Sequence, residues 1–499
     1  MKRSELRIKE ERGRRKWAQR FNIQRLKPRL PFASYLLPFA FCLLTPLVFA
    51  QTRSTASLPK WESLLNGLSI AIVERPGAET VTARLIIKSG AAFDLAGKAG
   101  LASFTADMLA MGAEGLSRQN IEGLLDKTKS KLAVNTGWDA TTITITTTPM
   151  NLDLALELLG KLVATPSFSD VEFQDLKKKR IEEIKKAQAD AAQTAADVFA
   201  DELYGYYPYG HTILGTPESL ARITRGDLIL FHRRHYLANN AALAVVGGAS
   251  FEDAMSAVRS GLGRLLKGAP PPSTFKPPQP LAATRVVLVD KPDAQFSQVV
   301  FGHFGISRTD EKYFAVRMMN YILGGSLESR LSKRLINELG YTKSINSNFD
   351  ARALGGPFTI SAVIENRQVY DAIVESLKIV ELFRKGEITP AELQSAKDYF
   401  INSYNSSIAS DEGLAQELTD IELYRLGRDY IINYAQRIGS ITTEDIKQAA
   451  AVKLRPDVML ISVVGSAAQL QESLKKLGPV EVIPFDKRPE AKKAAANGK

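Results

Sequence analysis

From residue 60 onward the chain alternates between two hydrophobic rhythms. Runs of strand length at 82–88, 141–148 and 297–304 are β-branched, continuous or alternating in their apolar residues, and predict strands. Residues 152–163 carry apolar side chains at helical spacing. Ser167-Phe168-Ser169-Asp170 then offers caps for a helix over 171–188. That helix is highly charged, with Lys177-Lys178-Lys179-Arg180 followed by Glu182-Glu183, and its lysines read as a solvated face.

The pattern occurs twice. Val73-Glu74-Arg75-Pro76-Gly77-Ala78 matches Val289-Asp290-Lys291-Pro292-Asp293-Ala294, 216 residues on. Ile223-Thr224 with Asp227 matches Ile441-Thr442 with Asp445, and Ala244-Val245-Val246-Gly247 matches Ser462-Val463-Val464-Gly465, both at 218. Landmarks in one order at nearly one offset predict two homologous α+β half-domains, each a mainly antiparallel sheet with helices on one side. The halves are expected at 51–267 and 285–480. Between them the proline-dense stretch 268–284 is expected to be a stiff extended linker. Residues 481–499 are expected to be a disordered basic tail.

Charge and cysteine narrow the function classes. The net charge of +11 is concentrated in residues 1–29, which carry 12 Lys/Arg against three Glu, leaving about +2 for the rest. A nucleic-acid surface in the folded part is therefore not expected. The apolar run 31–50 follows this basic block and ends Val48-Phe49-Ala50, as a secretory signal cleaved before Gln51 would, or as an amino-terminal anchor if retained. The expected location is exported, in the periplasm, with membrane contact only if 31–50 is retained. Cys42, the sole cysteine, lies inside that run, so the mature chain has no thiol for disulfide, metal or nucleophile.

Several motifs together resemble the insulinase (pitrilysin) metallopeptidase family over roughly 60–475. They are Asn66-Gly67-Leu68-Ser69-Ile70, Lys88-Ser89-Gly90, Gly100-Leu101-Ala102, Tyr207-Pro208-Tyr209-Gly210-His211, Leu323-Gly324-Gly325, Ser329-Arg330-Leu331 and Gly340-Tyr341-Thr342. The resemblance implies a His-x-x-Glu-His zinc motif directly after Gly-Leu-Ala, with a distant Glu as third ligand and the intervening Glu as general base. Here Ser103 replaces the first His, Ala106 the base and Asp107 the second His, while Glu183 stands where the distant Glu would. Asp107 and Glu183 are residual metal candidates, but they lack the nitrogen donors a tight zinc site prefers, and no cofactor is expected.

The family's substrate-carbonyl pair, an Arg and a Tyr, aligns with Ile336 and Lys343. Arg334 lies two helical positions away, on another face. His232 and His235 have minimal ligand spacing but read as surface histidines, and His211 as a locally bonded one. The resemblance thus implies a non-catalytic subunit, like the inactive one of two-chain processing peptidases. It would complete the peptide-holding chamber of an active family partner as a heterodimer. The alternatives are a stand-alone peptide-binding or envelope scaffold protein, and an active zinc metalloendopeptidase with an atypical ligand set.

Overall fold

The computed structural model describes residues 58–485; the expected export segment and the end of the tail lie outside them. The first half holds a six-stranded sheet of β1 (Lys60–Ser63), β2 (Ser69–Glu74), β3 (Val81–Ile87), β4 (Lys131–Thr136), β5 (Thr141–Thr147) and β6 (Ala241–Gly247). Its order is β1-β2-β6-β3-β5-β4, antiparallel except for β2 with β6. The second sheet comprises β7 (Arg285–Asp290), β8 (Phe296–Phe304), β9 (Thr342–Phe349), β10 (Pro357–Glu365), β11 (Leu460–Gly465) and β12 (Val480–Pro484), in the order β9-β10-β8-β11-β7-β12. The tail therefore begins later than expected. Val480–Pro484 is an edge strand that lies parallel to β7.

The repeated landmarks make the same structures in both halves. Each Val-x-x-Pro motif ends a strand and closes on the glycine of the neighbouring strand: Arg75 N donates to Gly247 O at 2.7 Å, and Lys291 N to Gly465 O at 2.9 Å. Each Ile-Thr-x-x-Asp is a helix start. Thr224 and Asp227 exchange reciprocal bonds at the head of α5 (Arg225–His235), and Thr442 and Asp445 do so at the head of α8 (Thr443–Lys453). Between Leu262 and Arg285 there is neither helix nor strand. This stretch is fastened to the first half by Phe275, which packs edge-on to Phe93 and Tyr207, and by Tyr206, whose hydroxyl donates to Pro277 O at 2.7 Å.

One face of each sheet is covered by its own helices. In the first half these include α1 (Leu101–Leu109), α2 (Leu152–Ala164), α3 (Asp170–Ala187), α5 and α6 (Phe251–Leu262), around a core that contains Leu85, Ile143, Leu156 and Val258. The other face is covered by a helix from the opposite half. The helix α4 (Ala191–Tyr204) leaves the first half and packs Ala195, Val198, Phe199 and Leu203 on Val287, Val289, Leu460 and Val464. Reciprocally, α7 (Asp411–Tyr424) packs Leu414, Ala415 and Leu418 on Ala71, Val73, Ala244 and Val246. This exchange explains why β6 is buried along its whole length and apolar at every position before its closing glycine.

Polar contacts close the same join. Arg75 donates to Asp411 Oδ1 at 2.7 Å and to the carbonyls of Ile408 and Ala409. Asp139, in the β4–β5 turn, accepts from the hydroxyls of Tyr209 (2.5 Å) and Tyr424 (3.2 Å) and from Ala353 N (2.9 Å).

Two carboxyls of α7 lie within this join. Burial pushes Glu417 up to about 7 and Asp420 up to about 6, from ordinary values of 4.5 and 3.8. Asp420 raises Glu417 further, while Arg308 and Arg317 draw Glu417 down and Arg84 and Arg308 draw Asp420 down. Folded chains thus hold these protons across a range in which unfolded chains have lost them. Their stabilising contribution is complete at acid pH and falls as pH rises towards 7. His235 and His303, held near 4 by burial, have the opposite slope, so the effect is read by difference. Glu417→Gln removes about 1.4 kcal/mol per pH unit of that fall inside the window. Urea titrations of variant and parent should diverge in the variant's favour between about pH 5 and 7; a constant difference would contradict it.

Candidate functional site

Helix α1 begins at Gly100, whose φ of +92° lies in the left-handed region that favours glycine. A Cβ at this position would stand 2.6 Å from Leu214 O, too close for any side chain. The first turn of the helix is held by Asp94, which accepts from Gly100 N and Ala102 N, both at 2.7 Å. Complete burial pushes the Asp94 carboxyl up to about 8, while the two N–H donors and the charge of Arg180 draw it down. His211 lies beside it, Nδ1 at 3.8 Å from Asp94 Oδ2 and 3.0 Å from the carbonyl oxygen of Thr212. No feature of the sequence singled out Asp94.

Ser103 and Asp107 are four residues apart on α1 and so share a face. Between them lies Arg180 of α3, only 4% exposed. Its Nη1 donates to Ser103 Oγ at 2.9 Å, and its Nη2 to Asp107 Oδ2 and, at 3.4 Å, to Ser103 O. Ser103 Oγ in turn donates to Ile213 O at 2.7 Å. The guanidinium sits 5.3 Å from the centroid of Phe104, which stacks on Phe173. Burial raises the Asp107 carboxyl and Arg180 lowers it. Lys178 and Lys179 are exposed, while Arg180 at the end of the same run turns inward. Phe173, Leu176, Arg180 and Ile184 form the inward stripe of α3, and that spacing was the missed signal.

Ala106 is buried and offers no proton acceptor. Glu183 is exposed, 3.8 Å from Lys179, and borders with Asp107 a cleft of about 260 Å³. The remaining walls are Leu132 and Val134 of β4, Ala110, Met111, Leu176, Lys179 and Arg180, all from the first half. The donors present do not fit a zinc ion. They offer no imidazole, and a cation already stands between the two α1 positions. Among the described residues no group of three or more His, Cys, Asp or Glu converges as a metal site.

His232 and His235 are not surface residues. They are 9% and 5% exposed, and they point to different partners: His232 Nε2 to Val163 O and His235 Nδ1 to Ser89 Oγ, each at 2.8 Å. Burial lowers both, His235 to about 4. The reason is the phase of α5, which turns both rings into the core beside Phe168 and Phe231.

Ile336 lies half-buried in a π-helical turn, Lys333–Glu338, where Leu339 N donates to Arg334 O five residues back. The wider turn changes the angle between Arg334 and Ile336, yet Arg334 is engaged elsewhere, with Glu338 and Glu375 at 2.8 Å each. Lys343 is exposed on β9, and neither residue borders the cleft. If Asp94 caps α1, Asp94→Ala should lower unfolding free energy by about 1–3 kcal/mol in urea. Asp94→Asn, which keeps an acceptor, should lose less; equal losses would contradict the capping role.

Residues 69–217 match the model of the insulinase family (peptidase family M16), and residues 222–400 match the model of the peptidase M16 inactive domain. An uncharacterized zinc protease of Mycobacterium leprae is 24% identical over 400 residues, covering 78% of this chain and 87% of that one. A probable mitochondrial-processing peptidase subunit beta of Arabidopsis thaliana is 23% identical, covering 82% and 79%. Among solved structures, a peptidase M16 inactive domain from Pseudomonas fluorescens superposes with a TM-score of 0.77 at 24% identity, covering 82% of this chain and 98% of that one. A protease from Helicobacter pylori gives 0.76 at 21%, covering 82% and 100%. The two matched segments account for most of both sheets and their helices, and on them this chain is a member of the insulinase (M16) family.

Proposed function

We propose that this chain is a non-catalytic peptidase-like subunit that pairs with an active, exported zinc metallopeptidase of its family and completes a chamber holding the peptide. The observation that carries this reading is the make-up of α1. Ser103, Ala106 and Asp107 stand where two ligands and a base would, and Arg180 bonds across them. Loss of a general base alone costs about 10²–10⁴-fold in rate.

Peptide holding is supported by the sheet edge. Among the described residues the backbone of β4 is hydrogen-bonded only to β5, so its outer side can accept an extended segment, with Leu132 and Val134 facing the adjoining cleft. The corresponding edge of the second half is partly closed, because Ser347 N of β9 donates to Gly324 O at 3.1 Å. The cleft is walled by one half alone, which leaves its open side to a partner. Similarity to a protein named a processing-peptidase subunit agrees with pairing. The basic block and apolar run at 1–50 support export to the periplasm.

The test is to purify this chain and an intact His-x-x-Glu-His relative from the same cell, and to assay cleavage of an unstructured peptide by each and by the mixture. The mixture should cleave faster than the relative alone, and the two chains should co-elute on gel filtration. Unchanged cleavage with separate elution would overturn pairing; peptide binding by this chain alone would then favour a stand-alone binding protein.

A further inference from the structure

The misfit between this donor set and a metal has a positive side. A metal bound at paired positions one helical turn apart does two jobs: it fastens the helix that carries them to a second helix, and it neutralises anionic ligands. Arg180 does both. It reaches from α3 to α1, grips Ser103 through Nη1 and Asp107 through Nη2, and sets its charge against the Asp107 carboxylate. Its surroundings show a built site: Arg180 is 4% exposed, the Phe104 ring lies against the guanidinium, and Ser103 is itself fixed by Ile213 O. A guanidinium has five donors in a fixed fork and no acceptor.

We propose that Arg180 is a built-in cation that takes the structural place of a metal at this site, fastening α1 to α3 and excluding divalent ions from between Ser103 and Asp107. Exclusion follows from two properties of this side chain. The guanidinium fills the space between the two α1 positions, and its fixed charge repels a second cation there. The site is therefore closed to metal by a residue outside the degenerate motif, and restoring the motif alone would not reopen it. The inference concerns this chain by itself and needs no partner, so failure of the mixing assay would leave it standing.

The test rebuilds the donors with and without Arg180. The triple variant S103H/A106E/D107H and the same variant carrying Arg180→Ala are incubated with excess zinc, desalted and analysed for metal, with circular dichroism as the check on folding. The triple variant should retain little zinc and the quadruple variant about one ion per chain. About one zinc per folded chain with Arg180 in place would overturn the proposal, as would a folded quadruple variant that takes none.

A second measurement stands independently of the rebuilt motif. In a double-mutant cycle, Arg180→Gln and Asp107→Asn each lower the unfolding midpoint, and their combined loss should fall well short of the sum. Additive losses would show that the two side chains do not act as a pair, which would also overturn the proposal.

Discussion

A guanidinium can be buried among aromatic rings only where polar and anionic partners meet its donors, because an unpaired charge in such a place is strongly destabilising. At Arg180 those partners come from a single helix. Ser103 and Asp107 face it from one side of α1, and α1 is itself anchored at its first turn by Asp94 and at Ser103 by the carbonyl of Ile213. The position of α1 against α3, and with it the shape of the cleft beside β4, depends on this one charge finding this one face. In a metal-bearing relative the same helix would be held by coordinate bonds. Here it is held by hydrogen bonds to a side chain.

The second constraint is the exchange of α4 and α7 between the halves. Each sheet has two apolar faces, and its own helices cover only one. Covering the other with a helix from the opposite half makes each half's core incomplete without its neighbour. Arg75, Asp139 and the tyrosines that converge on Asp139 then fix the orientation at the join. The linker adds to this as a strap packed by Phe275 and Tyr206. The open side of the cleft is consequently presented by a firmly joined scaffold.

Much of the architecture was legible because it is written twice. The repeated Val-x-x-Pro turns, the Thr-x-x-Asp helix starts and the apolar strands each recur at nearly one offset, and each makes the same hydrogen bonds in both halves. The exchanged helices were not legible, since the burial of a strand on both faces does not say which segment covers the second. The strand Val480–Pro484 was lost in a charged terminal stretch, where its alternation is too short to register. At the site, Ser103, Ala106 and Asp107 could be placed through family motifs, but their contacts could not. Arg180 was hidden inside a basic run, and only its phase with Phe173 and Ile184 marked it as inward-facing. The two histidines of α5 were misplaced for the same reason, as their flanking arginines masked the buried side of the helix. Asp94 acts through a loop closing on a helix start 6 and 8 residues on, a contact that no spacing rule isolates.

The claim on which the functional reading rests is that this chain alone cuts no peptide bond by zinc chemistry. Its most direct test is to load the purified wild-type chain with excess zinc, desalt it, measure bound metal, and assay an unstructured peptide with and without a chelator. Zinc well below one ion per chain, together with no chelator-sensitive cleavage, is the predicted result. About one tightly held zinc per chain, with cleavage that the chelator abolishes, would contradict it and restore an active site built from an atypical ligand set.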